Sequence, residues 1–377
     1  MIKQRTLFIV PSLLRAGAEN QIVQLVNGLP TENFEKHLLS YLPEEDLLAN
    51  VDTVSVAYHP VRRQSKIDLS AARKIGRIID ENQIDIVHCT LENALLYGVL
   101  GARNSKRSPT FICAIHTTKQ ISFKHELADT LLYSHLLKKC AQVWFVCQAQ
   151  ASIWIERMPF LRERQRVIHN GIKATDFDPD NFVDAGRQFR KNLSISADSK
   201  IICSVAGLRS EKLHDVLLQS FAALGDRIDK DDCYLLLAGS GPMESRLRES
   251  AHRLGIESRV MFLGELADVR PLLATADCKV LASKAETFSM AMLEAMAMQV
   301  PVISTKVGGA PEAIRDRESG LLISPGDVGE LVDGLSLLLS DDARRITMGR
   351  AARQSVMKNF TYAAMVEKSR DCLIEAG

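Results

Sequence analysis

The sequence has no run approaching the roughly eighteen uninterrupted apolar residues that a membrane-spanning helix requires, so a soluble or at most peripheral protein is expected. It also lacks a C-x-x-C pair. Its 8 cysteines (Cys89, Cys113, Cys140, Cys147, Cys203, Cys233, Cys278 and Cys372) are scattered, several within apolar runs where a thiol serves as a small hydrophobe. That usage points to a reducing, cytoplasmic setting rather than a disulfide scaffold. Net charge is only +1 and aromatic residues make up 6%, which gives no global case for nucleic-acid binding. No G-x-G-x-x-G follows the first apolar run, which argues against a nicotinamide-dependent dehydrogenase. Leu7–Val10 stands behind Lys3 and Arg5 as a secretory leader would, but the run is too short and Pro11 ends it. It reads as a first buried strand.

What the chain does have is length and repetition. At 377 residues, 46% of them hydrophobic, it holds two cores and therefore a cleft. Short Val- and Ile-rich runs separated by helix-length amphipathic stretches read as parallel strands with crossover helices. The candidates are Leu7–Val10, Leu38–Leu42, Val51–Ala57, Asp85–Cys89, Thr110–Ile115, Val143–Cys147 and Val167–Ile168, then Ile201–Val205, Tyr234–Ala238, Val260–Leu263, Cys278–Leu281, Val300–Ser304 and Leu321–Ile323. The predicted fold class is α/β, two doubly wound Rossmann-like domains facing across a cleft. The boundary is placed in the polar segment Asp176–Asp180, giving domains 1–175 and 176–359. Ligands of such sheets bind outside the carboxyl ends of the strands, so chemistry is sought there.

The most informative stretch runs from Ser283 to Ala297, directly after Val280-Leu281-Ala282. Thr287 or Ser289 can cap the helix, leaving free N–H groups at its first turn as a phosphate site. Glu286 and Glu294 bracket that turn, one placed for sugar hydroxyls and one for ribose hydroxyls. The plainer reading of both is a pair of solvated helix glutamates. Beside them, Val307-Gly308-Gly309 brings backbone close to a ligand before a helix opening at Pro311. Leu208-Arg209-Ser210-Glu211-Lys212 ends another strand with two cations suited to a diphosphate, and Gly239-Ser240-Gly241 lines a further strand end.

In this order the segments resemble the retaining glycosyltransferases of family 4, built on the two-Rossmann GT-B fold. The resemblance runs nearly end to end. It rests on Glu286-x7-Glu294 with Ala-Met-Ala and Pro-Val-Ile behind it, on Val307-Gly308-Gly309-x-Pro311-Glu312, on Glu211-Lys212, and on Phe262-Leu263-Gly264 with Ala276-Asp277. It implies that Lys212 and Arg209 bind the diphosphate, that Glu286 contacts the transferred sugar with Phe288 and Ser289 beside it, and that Glu294 takes the ribose. The family's arginine stands five residues before the lysine, where this chain has Gly207, so Arg209 is its substitute. Glu286-Thr287-Phe288-Ser289 replaces the usual E-G-F-G, and Gln299 stands where glycine is common. In the first half, Arg15-Ala16-Gly17-Ala18-Glu19 resembles the G-G-A-E loop that approaches the diphosphate, and His116 matches a histidine near the reacting carbon. Without the resemblance, His116 reads as a packed strand-end histidine; His88 is read as structural. The stretch from Phe360 to the C-terminus resembles a helix that returns to the first domain, making 360–377 part of it.

The resemblance implies a nucleotide-sugar donor as substrate, UDP-linked before GDP-linked, with no cofactor and no metal, since cations stabilise the leaving group. A saccharide or lipid-linked acceptor in polysaccharide or glycolipid assembly is the accompanying expectation. Residues 101–173 carry twelve Lys or Arg against four acids, including Lys119, Lys124, Lys138, Lys139, Arg157, Arg162, Arg164 and Arg166. That basic segment suits an anionic membrane surface or is simply a solvated face. Rival readings are a nucleotide-sugar epimerase on the same fold, and a binding module that never turns over.

Overall fold

The computed structural model describes residues 3–65, 67–117, 126–226 and 232–377, and for 126–131 the backbone alone. Lys119 and Lys124 lie outside the described residues. The chain divides into two compact units, Met1–Gly171 with Tyr362–Gly377, and Ile172–Thr361. The Asp176–Asp180 segment, expected as a linker, forms two short 3-10 turns, Ala174–Phe177 and Pro179–Phe182, within the second unit. There Arg353 donates to the Phe177 carbonyl at 2.9 Å.

The first unit is a seven-stranded parallel sheet of β1 (Gln4–Val10), β2 (Phe34–Ser40), β3 (Val56–Pro60), β4 (Ile86–Thr90), β5 (Thr110–Ile115), β6 (Cys140–Phe145) and β7 (Gln165–Val167) in the order β3-β2-β1-β4-β5-β6-β7. Apolar residues cover both faces, as a parallel sheet between helices requires. Leu7, Ile9, Val87 and Cys113 serve one face, Phe8, Val10, Ile86 and Ile112 the other. The second unit is a six-stranded parallel sheet of β8 (Ile201–Val205), β9 (Tyr234–Ala238), β10 (Val260–Gly264), β11 (Cys278–Leu281), β12 (Val302–Thr305) and β13 (Leu321–Ile323) in the order β10-β9-β8-β11-β12-β13. In each sheet the order reverses once, between β1 and β4 and between β8 and β11. These two switch points open crevices at the carboxyl ends of their strands. Both units are doubly wound and Rossmann-like.

All thirteen expected strands are present, but some boundaries differ. Val51–Ala57 was expected as strand, yet β3 begins only at Val56. Residues Leu48–Asn50 form a 3-10 turn, and Asp52 turns the chain by accepting from Val54 N at 3.2 Å and Ser55 Oγ at 2.6 Å, leaving Val54 97% exposed. Val300 belongs to a helix end, where Gln299 at φ +59 and Val300 N bonded to Ala295 O at 2.9 Å close the last turn. Among the described residues no helix is long and apolar enough to cross a membrane. All eight cysteines are buried and none is in a disulfide among the described residues.

The helix Tyr362–Ala376 packs on Gly17–Gly28, and Tyr362 Oη donates to the Gln24 carbonyl at 3.1 Å. A Cβ on Gly28 would collide with the Tyr362 hydroxyl and lie 2.7 Å from Val366 Cγ2. Gly28→Ala should therefore destabilise the protein by about 1–3 kcal/mol in urea unfolding through overpacking. Tyr362→Phe in that background should recover part of the loss.

His88 sits in β4 between the Phe8 and Trp144 rings, at 5.2 and 4.9 Å between centroids, with neither ring nitrogen hydrogen-bonded among the described residues. Burial lowers its pKa to about 3, and those of His116 and His214 to about 4. All three are neutral in the folded chain and protonate near 6.5 when unfolded, so the unfolded state binds more protons between pH 6.5 and 4. Their contribution is complete above pH 6.5 and is lost as pH falls. His88→Leu should raise the melting temperature at pH 7 and flatten the acid decline; a variant melting lower with an unchanged slope refutes this account.

Candidate active site

The second unit's switch point is built from loops that brace one another. After β8, Ala206 N donates to Ala238 O at 3.0 Å, Leu208 N to Ser240 O at 2.8 Å, and Met243 N to Leu208 O at 3.0 Å. This fit needs bare α-carbons: Gly239 at φ +140 and Gly241 at φ +159 leave no room for a Cβ against the carbonyls of Ala206 and Leu208. Gly239 was expected to line the donor; its packing surface is the Ala206 carbonyl, and it holds the cationic loop in place. The clamped loop presents Arg209, then the turn Ser210–Lys212 ahead of helix His214–Ala222.

Lys212 Nζ forms an ion pair with Glu286 Oε1 of the loop after β11, both side chains 19% exposed. The same oxygen accepts from Ser283 Oγ at 3.1 Å, and Lys284 N donates to Glu211 O at 2.8 Å. From the other side, Gly309 N donates to Thr287 O at 2.8 Å, and Gly308 at φ +52 lies flush on the Glu286 and Thr287 carbonyls, where a Cβ would collide. Glu286 is thus fixed by two neighbouring strand ends, with a cation against its carboxylate.

Arg209 is exposed and has no hydrogen bond or ion pair to another side chain among the described residues. Its side chain folds over Gly207: a Cβ there would stand 3.4 Å from Arg209 Nε. Ser289 caps helix Met290–Ala297, its Oγ accepting from Met292 N at 3.2 Å. Thr287, the alternative cap, does not. Phe288 was expected beside the donor; its side chain is 6% exposed and its ring faces Phe360 at 5.5 Å. Its side chain anchors the loop against the ring of Phe360.

Glu294 lies half-buried on the same helix; burial lifts its carboxyl above the ordinary range, opposed by the charge of Lys279. Lys279 itself went unnoticed in the sequence. It stands within the apolar run of β11, is fully buried, and its amine donates to the Ala291 carbonyl. Burial lowers its pKa to about 8 against the pull of Glu294. The available signal was a charge in mid-strand of a sheet covered on both faces.

In the first unit, Gly17 opens helix Gly17–Gly28 with clear space around its α-carbon, and Ala16 before it gives no side-chain cap. The first-turn N–H groups thus have no side-chain cap from Ala16. His116 follows β5, half-buried, bordering a cavity of about 40 Å³ with His88, Gln21, Trp144 and Met365. Gln21 fixes Gly171, donating to its carbonyl at 3.3 Å and accepting from its N–H at 3.1 Å. Part of the basic segment is structural: Arg164 donates to the carbonyls of Lys138 and Cys140 at 2.7 and 2.5 Å, and Arg166 pairs with Glu375 at 2.5 Å. Lys139, Arg157 and Arg162 are exposed.

Residues 15–176 match the family described as Glycosyltransferase Family 4, and residues 186–355 that described as Glycosyl transferases group 1. The chain is 36% identical to the N-acetyl-alpha-D-glucosaminyl L-malate synthase of Bacillus anthracis, over 48% of this chain and 47% of that one, so this match spans about half of each. It is 28% identical to an uncharacterized glycosyltransferase of Methanocaldococcus jannaschii over 77% of this chain and 75% of that one. Among solved structures, HepE of Anabaena in complex with UDP superposes with a TM-score of 0.85 at 19% identity, covering 99% of this chain and 100% of that one; the same protein is also solved with UDP-glucose. With both halves matched and the GT-B fold in place, the chain belongs to the family 4, group 1 glycosyltransferases.

Proposed function

We propose that the protein transfers a sugar, with retention of anomeric configuration, from a nucleotide diphosphate donor to a saccharide or lipid-linked acceptor in polysaccharide or glycoconjugate assembly. The carrying observation is the Lys212–Glu286 pair at the β8/β11 switch point, with unpaired Arg209 on the same loop. A donor presents two chemistries to such a site, an anionic diphosphate and a neutral sugar. Lys212, Arg209 and the helix start at Ser289 suit the first; Glu286, an acceptor of hydroxyl hydrogen bonds, suits the second. The UDP and UDP-glucose complexes of HepE support a uridine donor over a guanosine one.

In the proposed step the bond from the anomeric carbon to the diphosphate oxygen breaks while the acceptor oxygen bonds to the same face of that carbon. The acceptor's proton passes to the departing diphosphate. Positive charge grows on the sugar and negative charge on the leaving group, so fixed cations lower the barrier without a metal ion. His116, neutral at pH 7 with a pKa of about 4, serves near the sugar as a hydrogen-bonding group and not as a charge. Glu294 takes the ribose hydroxyls.

The test is release of nucleotide diphosphate from a panel of UDP- and GDP-sugars, with and without chelator. One donor should be turned over, insensitive to chelator, and Lys212→Ala or Glu286→Gln should lower kcat by about 10²–10³-fold, the scale of losing one electrostatic stabiliser. Both variants should melt as the parent does. Wild-type turnover by a folded Lys212→Ala chain would remove the assignment, and donor binding without turnover on any acceptor would favour the binding-module reading.

The exposed Lys139, Arg157 and Arg162 extend the proposal to an acceptor held in an anionic membrane. Sedimentation with anionic but not neutral liposomes at low salt is expected. Equal sedimentation with both rejects it.

A further inference from the structure

A lysine in the middle of a buried parallel strand is unfavourable unless something requires its charge. Lys279 is fully buried in β11, between Cys278 and Val280 whose side chains join the opposite apolar face. An apolar side chain of similar length would serve the strand better, because a buried amine forfeits its hydration. What the amine reaches is helix Met290–Ala297, through the Ala291 carbonyl. That helix carries Ser289 at its cap and Glu294 one turn beyond Ala291. The charged and titratable groups acting on Lys279 are Glu294 from the helix, Cys203 from β8, Glu286 from the loop after β11, and Lys212 from the loop after β8. Glu294 exerts the largest charge effect among them, and Lys279 is the charge acting on Glu294.

We propose that Lys279 is a positioning residue of the donor site, which ties down the cap-bearing helix at Ala291 and faces Glu294 with the positive charge that keeps its carboxylate ready for the ribose hydroxyls. The inference rests on the ribose role given to Glu294 above. A carboxylate binds hydroxyls more strongly than a carboxylic acid does, because the charge assists the hydrogen bond. Burial alone drives Glu294 toward its neutral form; the Lys279 ammonium opposes that. With a pKa of about 8, Lys279 carries the charge at neutral pH.

The experiment measures binding of UDP, GDP and their 2′,3′-dideoxy forms by calorimetry from pH 5.5 to 9, for the wild type, Lys279→Met and Lys279→Gln. Met removes the charge and the hydrogen bond; Gln keeps a donor for the Ala291 carbonyl without the charge. Removing one partner of a buried pair costs stability unless the other is neutralised, so the Met variant should melt lower than the wild type yet still fold, because Glu294 takes up a proton. In the wild type, the ribonucleotide should bind about tenfold or more tightly than its dideoxy form at pH 7, the scale of a charge-assisted hydrogen bond. That preference should weaken on the acid side as Glu294 protonates. In both variants the acid limb should move up by about one pH unit or more, since removing a cation raises a carboxyl pKa. The preference should then be small at pH 7 and recover toward pH 9. Superimposed wild-type and variant profiles would overturn the role of Lys279 while leaving the donor reading intact. A shift in Lys279→Met absent from Lys279→Gln would also overturn it, since the hydrogen bond and not the charge would then be responsible. If neither nucleotide is preferred over its dideoxy form at any pH, the ribose role of Glu294 fails and this inference falls with it.

Discussion

A parallel sheet covered by helices on both faces leaves charge nowhere to sit except at its strand ends, and most of this protein's chemistry follows from that constraint. In the second unit the strand order turns at β8 and β11, so the loops leaving these two strands diverge and leave a crevice. Lys212 comes from one and Glu286 from the other, and their ion pair joins the two loops across it. At about one-fifth exposure the pair is neither a screened surface bridge nor a fully dehydrated one. Each partner keeps enough access to water to exchange its contact for one with a ligand, at modest cost in desolvation. Glycines complete the arrangement, since Gly239, Gly241 and Gly308 let carbonyls approach where any Cβ would collide.

Lys279, like Lys36 in β2, is an exception that tests the constraint. Removing an ammonium from water is penalised strongly, and a single carbonyl acceptor does not restore what hydration gave. The offset comes from the carboxylate side: Glu294 would otherwise be driven neutral by the same dry surroundings. Two ionisable groups of opposite sign, Lys279 buried and Glu294 half-buried, each unfavourable alone, stabilise one another. Such an arrangement is hard to reach for reasons of stability alone, because two apolar residues in those positions would pack without any of these penalties.

The sequence carried the parallel strands and the site's main side chains because both leave local signatures. Ile201–Val205, Tyr234–Ala238 and Cys278–Leu281 are predominantly apolar runs followed within two residues by Gly or Ser, and their boundaries were readable to the residue. Boundaries failed where side chains turn the backbone, as at Asp52, whose carboxylate competes with the strand for Val54 and Ser55. Phe288 differs in kind: its place between two expected ligand-binding residues suggested a shared role, while what the sequence did not show is that its ring packs beside Phe360. Lys279 was invisible because three apolar neighbours set the reading of the run, and one contrary residue does not change a periodicity. The family resemblance supplied what residues alone left open, above all the proposal that the glutamates serve a sugar donor and not a solvated helix face.

Gly207 and Arg209 show how the cationic loop tolerates a departure from the family pattern. The space a side chain at 207 would enter is crossed by Arg209, whose Nε would stand 3.4 Å from a Cβ there. A Cβ at 207 would meet Arg209 at van der Waals contact, and the loop beneath is held by the backbone bonds of Ala206 and Leu208 to Ala238 and Ser240. Arg209, reaching back over the Gly207 α-carbon, keeps a positive charge on the loop that carries Lys212. What changes is its tether: from 209 the side chain lies across the loop's surface, exposed and free of carboxylate partners, and so remains available to an anion that arrives from solvent.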